Sequence, residues 1–190
     1  MAVDEQALTR SLDSLAAALA ELDGPRVSSV SAYLTATVSA AAELLDVEYV
    51  GILLLDDAGR LRAVASSGAL AAAVELAQQQ LGVGPGPDTV AEGRTVAVSD
   101  LTDIAEYAPL TATVGPLGLR AVLSAPITVE GDVTGNLNLM RTDTHHWTQA
   151  EAQAAEAFAG VVAELLATGS RPLADAVPNG RWPQPAGTEE

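Results

Sequence analysis

Between Arg120 and Thr142 hydrophobic and polar positions alternate, in the stretch RAVLSAPITVEGDVTGNLNLMRT. The alternation predicts two strands joined by a tight turn at Glu130-Gly131-Asp132. On the second strand Leu137 and Leu139 face one way, and Asn136, Asn138 and Met140 face the other. Upstream, Val47 to Leu55 is a run rich in branched residues that predicts a strand. Asp56-Asp57-Ala58-Gly59 supplies a hairpin turn, and Arg60 to Ser66 the return strand. Thr95 to Ser99 predicts a further short strand.

Helical periods fill the rest. In residues 4–22, Leu8, Leu12, Leu15, Leu19 and Leu22 are spaced four, three, four, three, a heptad seam narrower than the stripe of an ordinary surface helix. Asp23-Gly24-Pro25 separates that helix from a second over 26–46, with Val30, Leu34, Val38, Ala41 and Leu45 on one face. Ala69 to Leu81 is helical, and Gly82 to Pro87 breaks it. Asp88 to Glu92 predicts one helical turn, and 102–118 a loop with one helix between Pro109 and Pro116. The last helix opens on a capping box, Thr148 with Glu151, with Trp147 placed as a hydrophobic staple. Ala155, Phe158, Ala159, Val162, Leu165 and Leu166 line one of its faces, and Gly169 is placed to stop it.

Strands bracketed by helices at both ends predict an α+β fold. Its antiparallel sheet has five to six strands. The terminal helices cover one face, and a region of loops and short helices forms a pocket over the other. The organisation expected is a helix over 1–25, a domain over 26–168, and a disordered tail over 169–190 that is rich in Pro, Gly and Asn.

Composition narrows the chemistry. Of 190 residues 48% are hydrophobic but only 3% aromatic, so Leu, Val and Ala fill the core. Cysteine is absent, which excludes disulfides, thiolate metal sites, a Cys nucleophile and thioether-linked chromophores. Lysine is absent too, which excludes Schiff-base catalysis and a Walker-type lysine. The net charge of −16 opposes nucleic acid and anionic membrane as partners. No positively charged leader precedes an apolar run, and no run reaches the length of a membrane span, so a cytoplasmic location is expected.

The order of elements resembles the GAF fold, and three stretches carry the resemblance. LLDVEYVGILLLDDAGRLRAVASS resembles the opening of a bacterial GAF domain. GPGPDTVAEGRTVAVSDL resembles the actinobacterial pattern E-G-P-C-x-D…G-x-P-V-x-V-x-D-L, with Pro87 in place of its Cys. LRAVLSAPITVEGDVTGNLNLMRTDTHHWTQAE resembles the closing hairpin and helix start. The pattern is similar to GAF domains fused to an ANTAR output module, a helical RNA-binding antiterminator. About twenty residues follow the last predicted helix, too few for that module, and no basic patch replaces it. The resemblance implies a sensory or regulatory domain in cytoplasmic signal transduction.

Neither an enzyme nor a resident metal or cofactor is expected. Methionine-sulfoxide reduction, known in some GAF proteins, needs Cys. The two histidines, His145 and His146, stand together in a predicted turn, and adjacent histidines lack the i, i+4 geometry of a helical metal site. The candidate ligand contacts are Asn136, Asn138 and Met140 on the pocket-facing strand, Asp88 at a helical turn, Tyr107 on the roof and Arg120 as an anion contact. Asn136, Asn138, Asp88 and Arg120 have plainer alternatives: a bond to loop backbone for the amides, an N-cap for Asp88, a solvated strand end for Arg120. The resemblance also implies a homodimer formed through the terminal helices. Its candidate seam is Leu8, Leu12, Leu15, Leu19 and Leu22 with Phe158, Val162 and Leu165. The expected partners are an unidentified small molecule, a second copy and a partner signalling protein. A protein-interaction domain without a ligand is the alternative.

Overall fold

A computed structural model describes residues 26–176 of the chain, with side chains over 34–167. Helix α1 (Arg26–Leu44) leads into β1 (Tyr49–Leu55), which turns back into β2 (Leu61–Ser66). Asp56 closes that turn: its Oδ1 accepts from Ala58 N at 3.0 Å and Arg60 N at 2.9 Å. With Arg60 N–H and the Arg62 guanidinium donating to it, its carboxyl is held down at about 2. Then follow α2 (Ala69–Leu81), α3 (Pro85–Glu92), β3 (Val96–Val98) and α4 (Ala108–Val114). Short 3₁₀ turns flank α4. The hairpin β4 (Ala121–Val129) and β5 (Asp132–Arg141) precedes α5 (Gln149–Ala176).

The described strands form one antiparallel sheet in the order β2-β1-β5-β4-β3. The β4–β5 turn uses Glu130 at φ 54° and Gly131 at φ 96°, two successive left-handed residues that match the twist of a two-residue hairpin. The central hairpin therefore turns where the alternation placed it.

The pleat sorts side chains to two faces. On one, Val50 and Ile52 of β1, Leu123, Ala125 and Ile127 of β4, and Leu137 and Leu139 of β5 pack under Leu34, Val38 and Ala41 of α1 and Ala155, Phe158 and Val162 of α5. On the other lie α2, α3 and α4. The predicted two-sided arrangement of helices is thus the observed one, with five strands among the described residues.

Two boundaries differ from expectation. The segment 82–87 is not a plain break: Gly82 caps α2 at φ 63°, and α3 already begins at Pro85. Proline needs no amide hydrogen bond at a helix start, so the Gly-Pro run starts a helix where it was expected to interrupt one. The last helix continues through Gly169 to Ala176; a glycine inside a helix costs only about 1 kcal/mol and does not by itself end it. Its start matches: Glu151 Oε2 accepts from Thr148 N at 2.7 Å, and Thr148 Oγ1 accepts from Glu151 N at 3.2 Å. The heptad helix over 4–22 and the tail beyond 176 lie outside the described residues. No helix among the described residues is long and apolar enough to cross a membrane.

Candidate functional site

The second face of the sheet carries three rows of side chains across the strands. Tyr49, Met140 and Val122 stand in one row, Gly51, Asn138 and Ser124 in the next, and Leu53, Asn136 and Pro126 in the third. The first row joins an apolar cluster with Ala71, Val74, Leu101, Tyr107, Leu110 and Val114. The other two rows hold polar groups shut away from water.

Glu75, Gln78, Thr89, Ser124, Asn136 and Asn138 are each 0–1% exposed. They form one network. Asn138 Nδ2 donates to both oxygens of Glu75, at 2.9 Å each. Gln78 Nε2 donates to Glu75 Oε2 at 3.1 Å. Asn136 Nδ2 donates to Asn138 Oδ1 at 2.9 Å and to Ser124 Oγ at 3.1 Å. The network reaches the roof through Gly86 N, which donates to Gln78 Oε1 at 2.8 Å, and Thr89 Oγ1, which donates to Ser124 O at 3.2 Å. One atom is left over: Asn136 Oδ1 is buried and accepts no hydrogen bond.

Glycines make the space. A Cβ on Gly51 would lie within the Glu75 carboxyl, so the missing side chain on β1 is the slot into which Glu75 drops. A Cβ on Gly86 would stand 2.9 Å from Asn136 Nδ2 and 3.0 Å from Gln78 Oε1. Burial pushes the Glu75 carboxyl up to about 8, against the lowering effect of the Asn138 and Gln78 amides. At neutral pH it is therefore mostly an uncharged acid.

The predicted site residues divide. Asn136 and Asn138 are in the network. Met140 shares their strand face but packs in the neighbouring apolar cluster. Asp88 and Tyr107 meet each other: the Tyr107 hydroxyl donates to Asp88 Oδ2, tying α3 to the segment before α4. Burial and the Asp88 carboxylate both raise the Tyr107 phenol, which keeps it protonated as the donor. Arg120 lies outside the network, its Nε donating to Asp100 Oδ1 at 3.1 Å and its Nη2 to Asp100 Oδ2. That pairing holds the Asp100 carboxyl well below the usual range and neutralises the expected anion contact. Phe158 and Val162 are 0% exposed within their own domain, because they sit on the stripe that α5 buries on the sheet. Within this chain they face the sheet, while Leu165 stays half-buried. Leu8, Leu12, Leu15, Leu19 and Leu22 lie outside the described residues.

Glu75 and Gln78 were not expected. The signal was there: Ala71, Val74, Glu75 and Gln78 follow the i, i+3, i+4, i+7 spacing of one helix face. Two polar residues on an otherwise apolar stripe mark a buried polar contact.

The protein-family model described as GAF domain matches residues 29–166. Among solved structures, the GAF domain of a phosphoenolpyruvate-protein phosphotransferase from Acinetobacter is similar at TM-score 0.69 and 17% identity, covering 94% of this chain and 99% of that one. A domain of a putative two-component sensor histidine kinase from Sinorhizobium meliloti is similar at TM-score 0.62 and 21% identity, over 75% of this chain and 94% of that one. A free methionine-R-sulfoxide reductase from Neisseria meningitidis, in complex with its substrate, is similar at TM-score 0.68 and 19% identity, over 91% and 96%. No curated protein sequence matches. The reductase overturns one expectation. The chain was expected not to be an enzyme, yet its fold is one that houses enzymes, so the fold gives no ground for that exclusion. At these identities each likeness shows the fold alone.

Proposed function

We propose, from the premise that this chain belongs to the GAF domain family, that it is a regulatory sensory module that binds a small molecule between its sheet and the α2–α4 roof. The observation that carries this is the orphaned Asn136 Oδ1 at the end of a buried polar network. A buried acceptor without a donor costs about 1–3 kcal/mol, and a ligand donor would offset that cost. In this reading the cytoplasmic domain acts as a dimer through its terminal helices and signals to a partner protein. Binding shifts the balance between two helix packings for which the ligand has different affinity. The finer resemblance to domains coupled to ANTAR modules belongs to the same proposal and rests on GPGPDTVAEGRTVAVSDL.

A second reading, a protein-interaction domain without a ligand, is favoured by one observation. Gln78 and Gly86 already fill the roof, and every amide donor that bonds within the network does so to a protein group. Native mass spectrometry of the purified chain, repeated after denaturation, separates the two. A dimer with extra mass that leaves on denaturation is expected from the first. A dimer of bare chain mass that gains none when incubated with a metabolite extract supports the second.

A further inference from the structure

The partners of Glu75 are those of an anion, and its surroundings are those of a neutral group. Both carboxyl oxygens accept from amide N–H donors, Asn138 Nδ2 and Gln78 Nε2. Donors on both oxygens satisfy a carboxylate and leave no acceptor for a carboxylic proton. Yet the group is fully buried with no cation beside it. Among the described side chains every cation is committed elsewhere. Arg60 and Arg62 pair with Asp56, Arg94 with Glu92 and Arg120 with Asp100. Arg141 bonds Asp46 O and lies over Trp147. His145 pairs with Glu151, and His146 meets Ser99. The ionisable groups on the elements around Glu75 are Tyr49 on β1, Arg62 on β2, Asp88 and Glu92 on α3, and Asp132 and Arg141 on β5, and none is a partner of Glu75. What the site lacks is one positive charge carrying hydrogen-bond donors. The unpartnered Asn136 Oδ1 lacks a donor in the same network.

We propose that this site takes a small molecule through a protonated primary amine, whose ammonium hydrogens are accepted by the Glu75 carboxylate and by Asn136 Oδ1. The inference rests on the ligand-binding reading given above and assigns its chemical class. An ammonium supplies three donors and one charge, which meets both deficits at once. A divalent metal fits poorly, because the described residues offer no group of three or more acidic, His or Cys side chains. The ligand enters by displacing the roof. Gln78 holds it through Gly86 N, and the connection from α2 to α3 turns on Gly82 at φ 63° and Gly84 at φ 139°. The ammonium takes the place of Gln78 Nε2 on Glu75 Oε2. On binding, the proton that neutral Glu75 carries leaves to solvent and the amine keeps its own.

The test is calorimetric titration of the full chain at pH 7 with n-propylamine, and with n-propanol as the uncharged probe of the same length. The amine titration is repeated in phosphate and in PIPES, which count released protons through their ionisation enthalpies. The expected result is at least tenfold tighter binding of the amine, with release of most of one proton, because burial raises the Glu75 carboxyl above neutrality. Glu75→Gln is expected to erase the preference for amine over propanol. Amine bound without proton release overturns the proposal, since ionising the buried Glu75 acid is the step that frees a proton. Propanol binding as tightly as the amine overturns the amine class and leaves the pocket standing. Binding of neither probe overturns both. The proton count is read on the unsubstituted chain, so it decides even where Glu75→Gln does not fold.

Discussion

The two faces of the sheet are built from the same strands and solve different problems. Under α1 and α5, β1, β4 and β5 present Val50, Ile52, Leu123, Ile127, Leu137 and Leu139 to Phe158 and Val162, all without a polar partner to satisfy. Under α2 and α3 the same strands present Gly51, Ser124, Asn136 and Asn138 to a glutamic acid and a glutamine. The first face is stable by displacing water from apolar area, a term that tolerates small shifts of position. The second depends on each donor finding its acceptor, a term that fails steeply when one group is displaced. A face kept polar at the centre of a small domain is one that packing alone does not account for.

The comparison can be broken most forcefully on the apolar side. Phe158→Ala removes the one phenylalanine of the core and leaves a cavity against the sheet. It is expected to cost about 3–5 kcal/mol in denaturant unfolding, with no change in the pH dependence of stability. On the polar side the pH dependence itself is the signature. The folded chain keeps the Glu75 proton up to about 8, whereas an unfolded Glu loses it near 4.5. Between those values the native state holds the extra proton, so stability falls as pH rises, by at most ~1.4 kcal/mol per pH unit from this group. Glu75→Gln is expected to remove that slope, read from urea midpoints across pH 5 to 8.

Gly51→Ala sharpens the contrast further. Its Cβ would occupy the Glu75 slot, and overpacking of this kind costs about 1–3 kcal/mol. In a double-mutant cycle with Glu75→Ala most of the loss is expected to vanish, a coupling on the order of 1 kcal/mol or more. Full additivity would mean that Gly51 serves β1 and not the carboxyl. The smallest expected effect lies away from both faces. Thr148→Ala opens the capping box of α5 and is expected to cost about 1 kcal/mol, seen in thermal unfolding.

Most of the fold is legible in the periodicity of the sequence. The alternation from Arg120 to Thr142 locates the central hairpin and tells Leu137 and Leu139 apart from Asn136 and Asn138, because strand faces are a local property. The Thr148–Glu151 box locates the start of α5 for the same reason. The site is only half legible. Asn136 and Asn138 can be assigned to a face, but Glu75, which accepts from Asn138, and Gln78, which donates to Glu75, come from a helix some sixty residues earlier in the chain. Only the pairing of β1 with β5 in register, Gly51 opposite Asn138, brings them together. The intrachain contacts of Arg120 and Phe158 are illegible in the sequence for a related reason. A sequence pattern does not say that Asp100 will reach the arginine, or that the apolar stripe of α5 will be spent wholly on its own sheet.

The most direct measurement of the central claim, that the second face holds a buried and uncharged carboxylic acid, is a carbon-detected NMR titration of the Glu75 carboxyl in the full chain, assigned by comparison with Glu75→Gln. The predicted result is a midpoint near 8, with the side-chain amides of Asn138 and Gln78 shifting along the same curve. A midpoint in the ordinary glutamate range, near 4.5, would show Glu75 ionised and solvated at neutral pH, and would contradict the closed polar network on which the proposed site is built.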